Sequence, residues 1–399
     1  MIRYTEALEL ILRSARLAAV ETRVPAAAAG CTTGEAVSSV LDVPAFANAA
    51  LDGYALSSAD TAAGATRRFV VNGSVAAGSA APADTPAGTA WEIMTGAPLP
   101  GGCDAVVPIE KSQVDADRRQ VAVAGLVSSG ANRREAGEDF RRGEPIVPAG
   151  RQLDATALMA IAASGVTTVA VRRTPRVAVI VTGDEVSGAG GASSIRDTNG
   201  PYLEAAIHAA GLQLTRSTRV GDDAAQLADS LRAAAADSDL VITTGGVSAG
   251  ARDFLPAALA AAGADILFHK VAIRPGKPLA FATLPQGTAV FALPGNPVAV
   301  AVGWRFFVVP WLRAVLGQPP EQWPRARLDT AVRCRAGIRF FAKAQLRWDS
   351  DAVLRVSVLP GQESFKLRPL VAANCWAIVD EDAAAGDIVP VAPLLPWQP

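Results

Sequence analysis

Apolar positions along this chain change their spacing three times. Over residues 4–20 they recur at helical intervals, with Leu8, Ile11, Leu12 and Ala15 on one side, and the spacing predicts an amphipathic helix. From about 44 to 139 the pattern breaks into short apolar runs closed by glycine or proline, such as Arg68-Phe-Val-Val-Asn-Gly73 and Trp91-Glu-Ile-Met-Thr-Gly96. That texture predicts a small β-rich domain with tight turns. Helical spacing over 155–163 then leads back to a compact core. The β-rich stretch, 44–140, is therefore expected as an insertion into a first domain made of 1–43 and 141–173. From 174 to 317 apolar runs (176–182, 239–244, 266–271, 288–293) alternate with helical stretches (200–210, 223–235, 254–261). Near-continuous apolar strands separated by helices predict a parallel sheet covered on both faces. After the proline cluster Gln318-Pro-Pro-Glu-Gln-Trp-Pro324 a period of two returns, as in Leu354-Arg-Val-Ser-Val-Leu359. It predicts a C-terminal β domain over 321–399. The fold class is multidomain α/β.

Composition narrows the function classes. Half of the 399 residues are hydrophobic and 19% are charged, with 37 basic against 38 acidic groups and a formal charge of −1. A general binder of nucleic acid or of anionic membranes needs a basic surplus to neutralise phosphates, so neither partner is expected. Two histidines, His208 and His269, exclude a His-rich metal centre. Cys31, Cys103, Cys334 and Cys375 form no C-x-x-C pair, so no zinc ribbon, iron–sulfur cluster or disulfide framework is read, and a reducing cytoplasmic setting is expected. The longest uncharged run, 278–304, is interrupted at Pro285-Gln-Gly287 and Pro294-Gly-Asn-Pro297. Neither fragment reaches the roughly 20 apolar residues of a membrane span.

Chemistry is expected where the strands of the α/β part end, because open parallel sheets bind ligands at their carboxyl edge. Four loops there are polar and glycine-bearing: Thr182-Gly-Asp-Glu185, Thr244-Gly-Gly-Val-Ser248, Arg274-Pro-Gly-Lys-Pro278 and Leu293-Pro-Gly-Asn-Pro297. A glycine pair after a strand, here Gly245-Gly246, lets backbone N–H groups approach an anion. The chain spends five lysines, and two of them, Lys270 and Lys277, flank Arg274 around one proline–glycine turn. Such a group of cations suits a phosphate or another oxyanion. Asp139, Glu185, Asp197, Asp222 and Asp253 fall at loops or strand ends; each aspartate alone is more often a helix cap or turn residue than a ligand. Together with phosphates they would make an oxygen environment for Mg²⁺.

The run Asp42-Val-Pro-Ala-Phe-Ala-Asn-Ala-Ala-Leu-Asp-Gly-Tyr-Ala55 resembles the signature of the molybdopterin molybdotransferases, the family of bacterial MoeA and the gephyrin E domain. The resemblance continues through Ile93-Met-Thr-Gly-Ala-Pro-Leu-Pro100, Arg134-Glu-Ala-Gly-Glu-Asp139, Asp197-Thr-Asn199 and the four glycine-bearing loops to Asn374-Cys375. It implies a four-domain homodimer that inserts molybdate into adenylylated molybdopterin with Mg²⁺-dependent release of AMP. Its implied partners are the molybdopterin adenylyltransferase and recipient molybdoenzymes. By position it implies catalytic roles for Asp52, Asp139, Glu185, Asp222 and Asp253, the last three as metal ligands. Thr95, Asp197, Gly245, Gly246, Ser248, Lys270, Arg274, Lys277 and Asn296 would bind substrate, and Arg274, Lys277, Lys343 and Ser364 would bind molybdate. The chain departs from the family pattern at Ala47, Ala49, Ala299, Lys343 and Arg368, where a carboxylate, two hydroxyls, an arginine and part of a serine run are replaced. Lys343 keeps the charge as a mobile point charge without the arginine fork. Two other readings stay open: a pterin-binding scaffold, and a molybdopterin adenylyltransferase, which shares the α/β domain but is much shorter.

Overall fold

The structure, a computed structural model, describes residues 1–184, 195–246 and 254–395. Six strands form the central sheet: β1 (Arg176–Thr182), β2 (Gln213–Val220), β3 (Leu240–Thr244), β4 (Asp265–His269), β5 (Ala280–Thr283) and β6 (Ala289–Leu293). Their order is β2-β1-β3-β6-β5-β4. β1 is parallel to β2 and β3, and β3 to β6, whereas β5 is antiparallel to both of its neighbours. The expected all-parallel sheet thus carries one reversed strand. Its cause is the connection: Lys270 N–H donates to Leu279 O and Val271 N–H to Lys277 O, so β4 and β5 are joined by a tight return. Only antiparallel strands can be linked that way.

β1 shows why its sequence is almost uninterruptedly apolar. Val177, Val179 and Val181 pack under the Asn199–Ala209 helix and the long helical run that starts at Pro297. Ala178 and Ile180 pack on the other face with Leu227 and Leu231 of Ala224–Ala235 and Leu255 and Leu259 of Leu255–Ala261. The run from Pro297 to Val315 is apolar and long enough to cross a membrane by composition alone, but it is mostly buried inside the protein.

The first helix, Tyr4–Ser14, starts with Glu6 accepting the Arg3 N–H at 3.0 Å and buries Tyr4, Ala7 and Ile11. It is shorter than its periodicity predicts. Ala15 is extended, and Val20–Arg23 is a strand antiparallel to Val169–Arg172. Residues on both sides of the β-rich stretch share one small core, including Val37, Val147, Ile161 and Val171. The chain leaves this core at Val43 and returns at Phe140, where the Val43 N–H donates to Phe140 O at 2.7 Å. Between these points lies a six-stranded sheet, including Gly53–Leu56, Thr66–Val75 and Thr89–Ile93. In the C-terminal part, Arg339–Trp348, Leu354–Val358, Arg325–Leu328, Ile388–Pro393 and Cys375–Val379 pair in that order, and the last pairs back to the first, which closes a barrel. Ile273–Arg274, from the β4–β5 turn, adds to it as a parallel edge beside Arg339 and Phe340.

Candidate anion-binding site

From β1 the chain passes to β2 on one side and from there crosses to β3 on the other, so the sheet has a switch point between β1 and β3. There a cavity of about 510 Å³ opens, walled by the ends of β1, β3 and β6, the start of the Asn199–Ala209 helix and the β4–β5 turn. This is where open α/β sheets bind ligands. The strand ends are stitched together. Thr182 Oγ1 donates to Thr244 O at 3.1 Å, and Gly245 N–H donates to Leu293 O at 3.1 Å. Gly245 and Gly246 have φ of +89° and +65°, and a Cβ on Gly245 would lie 2.6 Å from Thr182 O and Oγ1. Glycine is required here by both backbone conformation and space.

Six of the residues expected at the site line this cavity: Asp197, Gly245, Gly246, Lys270, Lys277 and Asn296. Asp197 also holds the wall in place. Its Oδ1 accepts the Asn199 and Gly200 N–H groups at 3.0 and 2.9 Å, and its Oδ2 accepts Arg219 Nε and Nη2 at 3.2 Å. Both oxygens are engaged in holding the helix start, so Asp197 shapes the wall. Asn199, a wall residue that the sequence reading left out of the site, is nearly buried; its Nδ2 donates to Gly295 O at 2.8 Å and Thr244 Oγ1 at 3.4 Å. It joins three walls, and its place in the Asp197-Thr-Asn199 motif was the only signal for it.

Lys270, Lys277 and Arg196 supply positive charge to the cavity. Among the described residues none of the three is paired with a carboxylate. With Asp197 already neutralised by Arg219, the described lining of the cavity is cationic. Asp222 follows the end of β2, where its N–H donates to Asp184 Oδ1 at 3.1 Å beyond the neighbouring end of β1; neither residue lines the cavity. Glu185, Ser248 and Asp253 lie outside the described residues.

The other expected residues do not line this cavity. Asp52 and Thr95 meet in the β-rich part, where Asp52 Oδ1 accepts the Thr95 N–H at 2.6 Å and its hydroxyl at 2.7 Å. The hydroxyl and then the amide hold the exposed Asp52 carboxyl below its usual range. Asp139 is exposed near the return at Phe140. Arg274 belongs to the barrel seam: pairing with Arg339–Trp348 turns Ile273 inward and sets the Arg274 guanidinium 4.8 Å from the Phe340 ring centroid. Ser364 accepts the Val298 N–H through its carbonyl at 3.0 Å.

Lys343 is not a mobile charge. Its side chain is fully buried, and Nζ donates to Gly361 O, Glu363 O and Lys366 O at 2.8, 3.1 and 3.1 Å. All three ammonium donors are spent, so it offers none to molybdate. Of the departures from the family pattern, Ala49 and Ala299 are buried, Ala47 is half-buried and Arg368 is exposed.

Comparison with known proteins covers nearly the whole chain. Residues 2–165 match the MoeA N-terminal region (domain I and II), 178–314 a probable molybdopterin binding domain and 325–394 the MoeA C-terminal region (domain IV). A molybdopterin molybdenumtransferase of Synechococcus elongatus is 36% identical over 393 residues, 95% of each chain. Molybdopterin molybdenumtransferase 2 of Mycobacterium tuberculosis is 36% identical over 375 residues, 89% of each chain. The crystal structure of the molybdopterin biosynthesis MoeA protein from Pyrococcus horikoshii OT3 superposes with a TM-score of 0.84 at 26% identity, covering 98% of this chain and all of the other.

Proposed function

Because this chain belongs to the MoeA family of molybdopterin molybdenumtransferases, we propose that it transfers molybdenum in cofactor biosynthesis, inserting molybdate into adenylylated molybdopterin with release of AMP. The observation that carries this is the cavity at the switch point, with a glycine pair on its floor and on its wall two lysines that meet no carboxylate among the described residues. An adenylylated pterin brings several phosphate charges together. Lys270 and Lys277 bind and orient them, and the bare glycine floor allows a phosphate to approach the backbone. Asn199, by tying Thr244 to Gly295, keeps the two facing walls at a fixed separation.

Mg²⁺ suits the donors at the mouth. Among the described residues no three His, Cys, Asp or Glu side chains gather as a metal site, but Mg²⁺ is commonly held by one or two carboxylates plus substrate phosphates. Asp222 and Asp184 would provide that pair, with Glu185 and Asp253 as the further ligands expected from the family. The ion would supply charge neutralisation as the adenylyl bond breaks. Asp52, Thr95 and Asp139 would complete the site from a second copy of the chain, so the working form is a homodimer; a sedimentation mass of one chain at all concentrations would count against it. The enzyme would act in the cytoplasm, receiving substrate from the adenylyltransferase and passing product to recipient molybdoenzymes. The adenylyltransferase reading is not favoured, because transferase relatives match along 95% of the chain.

The test is AMP release from adenylylated molybdopterin with and without molybdate and Mg²⁺. Release that needs both supports insertion. Binding without release identifies a scaffold, and adenylylation of free molybdopterin from ATP identifies the adenylyltransferase.

A further inference from the structure

We propose that Lys343 is a positioning residue: its buried ammonium fixes the 361–366 segment against the start of the Pro297–Gly303 helix, and so sets the oxyanion side of the site. This rests on the molybdate-insertion reading above.

Three backbone carbonyls, of Gly361, Glu363 and Lys366, converge on Lys343 Nζ. Pointed together without a cation they would repel one another. An ammonium has three donors diverging from one atom and no acceptor, which matches three converging carbonyls. The planar guanidinium of arginine presents its donors as a fork and does not. Among the described residues Lys343 forms no salt bridge; Glu363, which pairs with Lys366 Nζ at 2.8 Å, acts on its charge only from a distance. Burial accordingly lowers the Lys343 pKa.

A second clasp holds the same segment without charge. Lys343 N–H donates to Gln362 Oε1 at 2.9 Å, and Gln362 Nε2 donates to Lys343 O at 2.8 Å and Leu359 O at 2.7 Å. The amide side chain of Gln362 thus pairs with the barrel strand as a neighbouring backbone would.

On its other side the segment touches the start of the Pro297–Gly303 helix, directly after the cavity-lining Asn296. Ser364 O accepts the Val298 N–H, while the Ala299 and Val300 N–H groups turn back to Asn296 O at 3.0 and 3.1 Å. Asn296 lines the cavity. The first free amides of this helix are therefore occupied, and an oxyanion arriving here meets a surface whose shape depends on where 361–366 sits. Lys343 sets that position from the barrel without reaching the ligand.

The full-length protein is tested as wild type, Lys343→Arg, Lys343→Met, Gln362→Leu and Lys343→Met with Gln362→Leu. AMP release is measured against molybdate concentration, with Kd for adenylylated molybdopterin and the unfolding midpoint alongside. Both Lys343 variants are expected to raise half-saturating molybdate about tenfold or more and leave the pterin Kd within about twofold. Gln362→Leu, which removes no charge, is expected to raise it in the same direction, and adding it to Lys343→Met to change little further. Should Lys343→Met fail to fold, Lys343→Arg and Gln362→Leu carry the comparison. The proposal is overturned if Lys343→Arg equals or improves on wild type with Gln362→Leu unchanged, which would make residue 343 a direct ligand. It is also overturned if the variants lower only the unfolding midpoint. Wild-type release indifferent to molybdate would overturn the insertion reading instead, and the proposal with it.

Discussion

Replacing Gly245 by alanine separates two demands that the cavity floor makes of its backbone. At Gly245 φ is +89° and the new Cβ would sit 2.6 Å from Thr182 O and Oγ1; at Gly287, in the turn between β5 and β6, φ is +92° and nothing lies within 4 Å. A left-handed conformation costs a residue with a Cβ about 1–2 kcal/mol, and this applies to both positions. Forcing extra volume into a packed site costs about a further 1–3 kcal/mol, and this applies at Gly245 alone. Gly245→Ala should therefore destabilise the α/β part by about 2–5 kcal/mol and Gly287→Ala by about 1–2 kcal/mol. Relief at Gly245 must come from moving its backbone off Thr182, which loosens the joint between β1 and β3, so the Kd for adenylylated molybdopterin should rise about tenfold or more. Urea unfolding followed through tryptophan fluorescence reports this region, because Trp304 and Trp311 lie in its core. Calorimetric titration reports the binding. Equal destabilisation by the two variants, with binding unchanged, would refute the argument that close approach to Thr182 fixes the floor.

Lys270→Gln and Lys277→Gln should each weaken binding of adenylylated molybdopterin by about 1.5–3 kcal/mol, the worth of a hydrogen bond to a charged group. Each should also flatten the salt dependence; Kd values unchanged at low ionic strength would count against the cationic wall. Asp222→Asn should raise the Mg²⁺ concentration for half-maximal AMP release with little change in the unfolding midpoint, and superimposable Mg²⁺ curves would exclude its role. Thr95→Val removes the hydroxyl that most lowers the Asp52 pKa. A carboxylate lowered on folding contributes stability above its unfolded pKa and loses it as pH falls through the folded value. Asp52 in the variant should therefore protonate at higher pH on acidification, as read by carboxyl ¹³C chemical shifts; an unmoved titration would deny Thr95 this role.

The sequence made legible what is decided locally. β1, β3 and β6 are apolar on both faces because helices cover both, and their glycine-bearing ends marked the cavity. β2 was missed because Gln213–Val220 is half polar and lies at the sheet edge. β5 was missed because its direction depends on the turn before it. The first helix is shorter than its spacing predicts because apolar spacing continues past Ser14, while pairing with Val169–Arg172 claims Val20–Arg23. Arg274 and Lys343 share a feature that local sequence does not show. Their charge is visible in the sequence, but their direction is set by partners far along the chain, Phe340 for the first and the 361–366 carbonyls for the second.

The cationic turn gains its rigidity from parts of the chain outside the α/β sheet. Ile2 N–H donates to Lys270 O at 3.1 Å, Ala272 N–H returns to Ile2 O at 2.8 Å, and Arg339 N–H donates to Ala272 O at 2.9 Å. The N-terminal segment and the barrel thus grip the two sides of the residues between Lys270 and Lys277. A lysine side chain carries about 2 kcal/mol of rotamer entropy; with the backbone already fixed, binding an anion need order little beyond the side chains themselves. An isolated α/β unit would keep the same lysines and glycines but would have to order the turn as well. The surrounding parts therefore act on affinity without touching the ligand. This links the barrel seam, where Arg274 stacks on Phe340 and Arg305 pairs with Glu321 at 2.7 Å, to the cavity at the switch point.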